Sequence, residues 1–242
     1  MLKERLDEIA KKVRHDEGFN KMLIKYRART IVELCKGPKI LELGCGDGLI
    51  TLELLKNFNE VVAVDGSKIR VERAQKRVSL FKNKVKFFIS LFEDFNPTYL
   101  FDTILMSGIL EHVEDPISIL KKYKKFINED GYIVIVVPNA ESIHRRIGKI
   151  MGVISDLHEL TEQDIAVNHK RYYDLKMLRK DIIKSGLKIE SFGGIFFKPL
   201  SNKQMEMFNS KIIDAFYELG KQLPPEYCAE IWVRCTLPIK KQ

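Results

Sequence analysis

The chain has 242 residues, 45% of them hydrophobic, which suits one α/β body with insertions and a substantial core. Its formal net charge of +8 fits an anionic substrate, a nucleic acid or a headgroup surface, and equally a solvated lysine-rich exterior. No apolar run is long enough to span a bilayer, the charged start lacks the apolar core of a secretory signal, and the cysteines at 35, 45, 228 and 235 form no C-x-x-C pair; a reduced, cytoplasmic protein is expected rather than a disulfide framework.

Residues 2–14 carry Leu2, Leu6, Ile9 and Val13 on one helical face, and a second helix runs from about Phe19 to Cys35 before Gly37-Pro38 stops it. These N-terminal helices (1–36) precede the main body (37–242). A strand at 39–43 leads through glycines into a helix at 48–57. A strand over 60–64 ends at Asp65, and a basic helix follows near 67–82. Strands are expected at 85–89 and 101–106. A helix opens after Asp115-Pro116, with Asp as cap and Pro in the first turn. Asp130-Gly131 reads as a turn before a strand at 132–137. Residues 139–173 show no strand pattern, are rich in His, Arg and Asp, and read as an inserted lid. A helix at 174–185, a strand from Leu187 to about Phe192, a helix over 201–220 and a strand at 229–237 complete the chain. Alternating strands and helices argue for a mostly parallel sheet covered on both faces.

The chemistry concentrates in Leu41-Glu42-Leu43-Gly44-Cys45-Gly46-Asp47-Gly48. A strand that ends in glycines and opens a helix lets backbone approach a nucleotide beside free N–H groups. The spacing is G-x-G-x-G, not the G-x-G-x-x-G of dinucleotide folds, and Leu49 stands where further helix begins. The bland alternative is an ordinary glycine turn. Asp65, nineteen residues after Gly46 at the tip of the second strand, is placed to accept from ribose hydroxyls; its other reading is a turn aspartate before Gly66.

The string around Gly44 resembles the first motif of class I S-adenosylmethionine-dependent methyltransferases. Residues 101–116, with Glu111-His112-Val113 ahead of Pro116, resemble the fourth-strand segment of the same superfamily. The likeness covers about residues 20–140 well and the C-terminal quarter poorly. It implies a Rossmann-like, doubly wound, seven-stranded and mostly parallel sheet with a late antiparallel strand, and S-adenosylmethionine as cofactor with S-adenosylhomocysteine as product. Glu42, Gly44, Cys45, Gly46, Asp65, Gly66 and Met106 are then cofactor-site candidates. Leu91 and Phe92 would cover adenine, with core packing the equal alternative for Phe92, and Ser90 stands where such families often carry an Asp. Arg27, in the order Arg27, Ile31, glycine motif, resembles the arginine that meets the cofactor carboxylate in ubiquinone-biosynthesis O-methyltransferases; Arg29 competes for that assignment.

Methyl transfer from a sulfonium needs alignment, and a hydroxyl or ammonium acceptor must also lose a proton. His112 and His169 are the base candidates, with Glu111 beside the first, and either histidine can instead be structural. Ubiquinone and small-RNA 2′-O-methyltransferases carry Glu-x-x-Glu-His and bind a divalent cation. Gly108 replaces the first carboxylate here, so no metal is assigned, although His169 could join Glu111 and His112. His144, Arg145, Arg146, His158, Lys170 and Arg171 make the lid cationic, for an anionic acceptor or for solubility. The expected partner is a small molecule methylated on oxygen or nitrogen; RNA methylation and a non-catalytic cofactor-binding role are the alternatives.

Overall fold

A computed structural model describes residues 2–238; Met1 and residues 239–242, which the expected domain bounds include, lie outside them. The elements are α1 (Leu2–Lys12), α2 (Gly18–Leu34), β1 (Lys39–Leu43), α3 (Leu49–Asn57), β2 (Glu60–Asp65), α4 (Lys68–Arg77), β3 (Val85–Ile89), β4 (Phe101–Ser107), α5 (Pro116–Tyr123), β5 (Ile127–Pro138), α6 (Ile143–Ile150), α7 (Glu162–Ala166), α8 (Leu175–Ser185), β6 (Lys188–Ile195), α9 (Asn202–Met205), α10 (Ser210–Gln222) and β7 (Glu230–Thr236). They build one seven-stranded sheet in the order β3-β2-β1-β4-β5-β7-β6. β1 to β5 pair in parallel, and β7 runs against both β5 and β6.

Period-two alternation sends side chains to two layers. Leu41, Leu43, Val62 and Val64 join the cluster under α5 and α8, while Ile40, Val61 and Ala63 join the cluster under α2, α3 and α4. Each fully buried Leu, Ile or Phe contributes roughly 1.5–3 kcal/mol, so both faces hold the sheet. The strand order reverses between β1 and β4, whose carboxyl ends open the crevice where such sheets bind ligands.

Four segments differ from the sequence reading. The lid holds two helices: α6 buries Arg145 on one side, and α7 starts at a capping box in which Thr161 and Asp164 bond each other's backbone. The helix expected over 201–220 is two pieces, because Asn209 accepts from Ile212 N–H and caps a fresh start at Ser210. β5 begins at Ile127, and the expected Asp130-Gly131 turn is an irregularity in its register with β4. β6 runs on past Phe192 to Ile195, still paired with β7. Among the described residues no helix is long and apolar enough to cross a membrane.

Candidate active site

The glycine loop is fixed from below by the sheet. Gly44 and Cys45 N–H donate to Val64 C=O at 2.7 and 3.2 Å, and Gly46 N–H donates to Asp65 at 3.0 Å. Gly48, at φ +80°, is the N-cap of α3, and a Cβ there would lie 2.7 Å from Ala74 Cα, so only glycine lets α3 and α4 meet. A Cβ on Gly46 would meet nothing nearer than His15 Nδ1 at 3.8 Å, which leaves that backbone open to a ligand. Glu42 lies under the loop, fully in the core. It accepts from Thr51 Oγ1 at 2.6 Å in the first turn of α3, and burial raises its carboxyl to about 8. Asp65 also accepts from Ser67 N–H at 2.9 Å, and burial raises its pKa.

The remaining cofactor-site candidates divide. A Cβ on Gly66 would lie 3.3 Å from Leu91, and one on Gly44 would lie 3.7 Å from Phe92, so the segment after β3 packs beside both glycine turns. Cys45 is buried with its thiol pushed far up by desolvation, which makes it inert. Met106 is fully buried in β4, paired with Leu43 and Ile135, and serves the sheet core. Arg27 grips Glu230, the first residue of β7, through two nitrogens; Nε reaches one oxygen at 2.9 Å. Its third nitrogen, Nη1, lies 3.9 Å from where a Gly108 Cβ would stand. Arg29 instead faces Asp214 and the Tyr26 ring, away from this edge. Over the loop, α1 places Leu6 against Gly66, and Asp7 accepts from Ser67 Oγ and Ile69 N–H.

At the end of β4 the structure brings together residues that are far apart in sequence. The His112 and His169 rings meet edge to face at 4.6 Å, and ligand atoms of Glu111, His112 and His169 lie within 4.8 Å of one another. Lys170 N–H donates to Glu111 C=O at 2.8 Å, which ties the lid to the loop after β4. Burial raises the Glu111 carboxyl to about 7, and its Oε2 has no partner among the described residues. Burial and the neighbouring His169 depress His112 to about 3, so its imidazole stays neutral. His169 Nδ1 lies 3.4 Å from Asp164 Oδ1, off the line of a hydrogen bond. Burial disfavours the Asp164 carboxylate, yet His169 and Thr161 outweigh it and hold the pKa well below the usual range. Asp164 also accepts from Tyr172 Oη at 3.1 Å. Nothing in the sequence spacing marks Asp164; its capping-box partner Thr161 was the only local signal.

The lid cations do not form an open clamp. Arg145 donates to Leu157 and Glu159 carbonyls and stacks over Tyr172. Arg171 donates to Leu110, Val113 and Glu114 carbonyls. Arg146 bonds Glu141, Lys170 pairs with Glu114, and His158 with Asp174. Arg171, Lys170 and His158 staple the lid to the body, while Arg145 and Arg146 brace the lid internally.

A family model described as a methyltransferase domain matches residues 14–191. The chain belongs to the methyltransferase-domain family. It is an S-adenosylmethionine-dependent methyltransferase with the Rossmann-like class I fold. Among curated proteins it is similar to the ubiquinone biosynthesis O-methyltransferase of Pelagibacter ubique, 28% identical over 131 residues; that match spans half of this chain and 55% of the relative. The same enzyme of Aliivibrio fischeri is 24% identical over 79% of this chain and 76% of its own length. In fold, the methyltransferase resembles the N-methyltransferase NodS of Bradyrhizobium japonicum, solved with S-adenosyl-L-homocysteine, at TM-score 0.59, 14% identity and coverage of 93% and 91% of the two chains.

Proposed function

We propose that this methyltransferase transfers a methyl group to an oxygen of a small-molecule acceptor, with His169 as general base. The observation that carries the reading is the Asp164–His169 pair facing Glu111 and His112 at the carboxyl end of β4. An amine that is already neutral attacks without help, whereas a hydroxyl gains nucleophilicity when a base takes its proton. The glycine loop fits the cofactor: Gly46 is open, Asp65 stands at the adjoining strand tip, and Leu91 and Phe92, beside Gly66 and Gly44, are the side chains that would cover adenine. Bound there, S-adenosylmethionine supplies an electrophilic methyl on a good leaving group.

The chain's own groups then have distinct tasks. Asp65 holds the loop and offers remaining lone pairs to ribose hydroxyls, and Arg27 Nη1 is the donor for a carboxylate. Asp164 sets a carboxylate 3.4 Å from Nδ1 of His169, and a small turn of the ring would let Nδ1–H donate to it and leave Nε2 as the basic nitrogen. Neutral His112 packs edge-on against that ring and limits its rotation. Closure of the lid, tied down through Arg171 and Lys170, excludes water.

Incubation with S-adenosylmethionine and a panel of matched phenols and amines tests the reading. Release of S-adenosylhomocysteine with phenols is expected; release with amines alone would overturn it. A second reading gives Glu111, His112 and His169 a divalent cation, supported by their 4.8 Å grouping and the unpartnered Glu111 Oε2. Those residues would hold it, and it would supply Lewis-acid activation of the acceptor hydroxyl.

A further inference from the structure

Three residues past β6, Lys198 has a buried stem and an ammonium that, among the described residues, finds no partner. Lys198 is 9% exposed, and among the described residues it makes no hydrogen bond or ion pair. A buried charge is normally paired or coordinated, because its desolvation is otherwise uncompensated. Glu230, the carboxylate whose charge it feels, is already engaged by two nitrogens of Arg27.

The backbone is held in a strained form to place it. Phe196 sits at φ +64°, a conformation that bulky side chains rarely adopt. Neighbouring contacts fix that turn: Ala229 N–H donates to Phe196 C=O at 2.8 Å, Phe197 N–H donates to Phe216 C=O at 3.1 Å, and the Phe196 ring packs on Phe19 and Tyr26. Strain at an over-determined turn is a pointer to function.

Topology places the turn at the catalytic edge. Glu230 pairs with both Pro138 and Ile195, so the end of β6 emerges beside the end of β5, where the lid departs. There, Ser142 Oγ and His144 Nδ1 are buried without partners among the described residues. Arg145 and Arg171 are committed to carbonyls, which leaves Lys198, among the described residues, as an available cation on the acceptor side.

We propose that Lys198, with His144 nearby, is the seat for a carboxylate or phosphate group carried by the methyl acceptor. The proposal rests on the methyl-transfer reading of the same site. Burial lowers the Lys198 amine to about 8, so it is still largely protonated at neutral pH, and its charge reaches His144, which is depressed to about 3 chiefly by burial. An incoming anion would restore the missing counter-charge and hold both groups.

Calorimetric titration of the protein saturated with S-adenosylhomocysteine tests this, with benzoate and inorganic phosphate as probes for the two anion classes. Millimolar binding of one probe is expected in the wild type, at least tenfold weaker in Lys198→Met and within about threefold in Lys198→Arg. Lys198→Met should bind S-adenosylhomocysteine within twofold of wild type and melt at the same or a higher temperature, since an uncompensated buried charge is removed. Failure of both probes to bind the wild type, equal binding by Lys198→Met, or parallel loss of S-adenosylhomocysteine binding in that variant would overturn the proposal. Intact, Lys198-dependent anion binding with no methyl transfer across the phenol panel would support the anion seat and count against the methyl-transfer reading instead.

Discussion

The two halves of the cleft are built on opposite principles. On the cofactor side, nearly every polar group has a partner within the fold: Asp65 accepts from two backbone N–H groups, Glu42 from Thr51, and the loop amides bond to β2. On the acceptor side, Ser107 Oγ, Glu111 Oε2, Ser142 Oγ, His144 Nδ1 and His169 Nδ1 are buried without hydrogen-bond partners among the described residues. The first half is a rigid backbone cradle that folding alone completes. The second is a set of side chains from distant segments whose hydrogen bonding a ligand would finish.

The largest effect that separates the halves is expected from His169→Ala. It should lower kcat by about 10³-fold while S-adenosylhomocysteine affinity stays near wild type, because the proposed base is lost and the cradle is untouched. Equal loss in both would place His169 in the cofactor seat. Asp65→Ala should do the reverse, weakening S-adenosylhomocysteine by roughly 100-fold in calorimetry, since a carboxylate that aligns the loop and accepts from ligand is removed.

Glu111 gives a smaller, pH-dependent effect. Burial raises its carboxyl from 4.5 to about 7, so the folded state keeps a proton that the unfolded chain releases. That contribution is whole below pH 4.5 and is lost as pH rises through about 7. Glu111→Gln should therefore match wild type in urea unfolding at pH 4 and exceed it by about 1–3 kcal/mol at pH 8. No gain at pH 8 would mean the carboxylate is compensated in the fold. The smallest effect is expected from chelation: EDTA should change turnover by less than about twofold, and abolition restored by Mg²⁺ would establish the cation reading.

The meeting of the glycine loop with Asp65 was legible because its signals are local. Gly44, Gly46 and Gly48 follow a strand directly, and parallel pairing of β1 with β2 brings Asp65 to the loop. The acceptor half depends on contacts across the chain. His169 reaches His112 only because the lid folds back, and the helices that fold it, α6 and α7, are 8 and 5 residues long, too short for periodicity to announce. Lys198 was invisible for the same reason: a single lysine between Phe197 and Pro199 carries no pattern, and its burial follows from the turn at Phe196. The cationic lid illustrates the converse, since composition showed the arginines but not the carbonyls that occupy them.

The reversed direction of β7 decides which of its ends can do chemistry. Because β7 enters the sheet where β5 and β6 leave it, its first residue, Glu230, stands level with Pro138 and Ile195. Threaded the other way, the same seven-residue strand would carry that carboxylate to the far rim of the sheet, roughly 20 Å off at about 3.3 Å per residue. Arg27 would then lose the carboxylate that grips two of its nitrogens. One antiparallel strand among parallel ones thus acts as a delivery route, bringing a late stretch of chain to the working rim by its leading end.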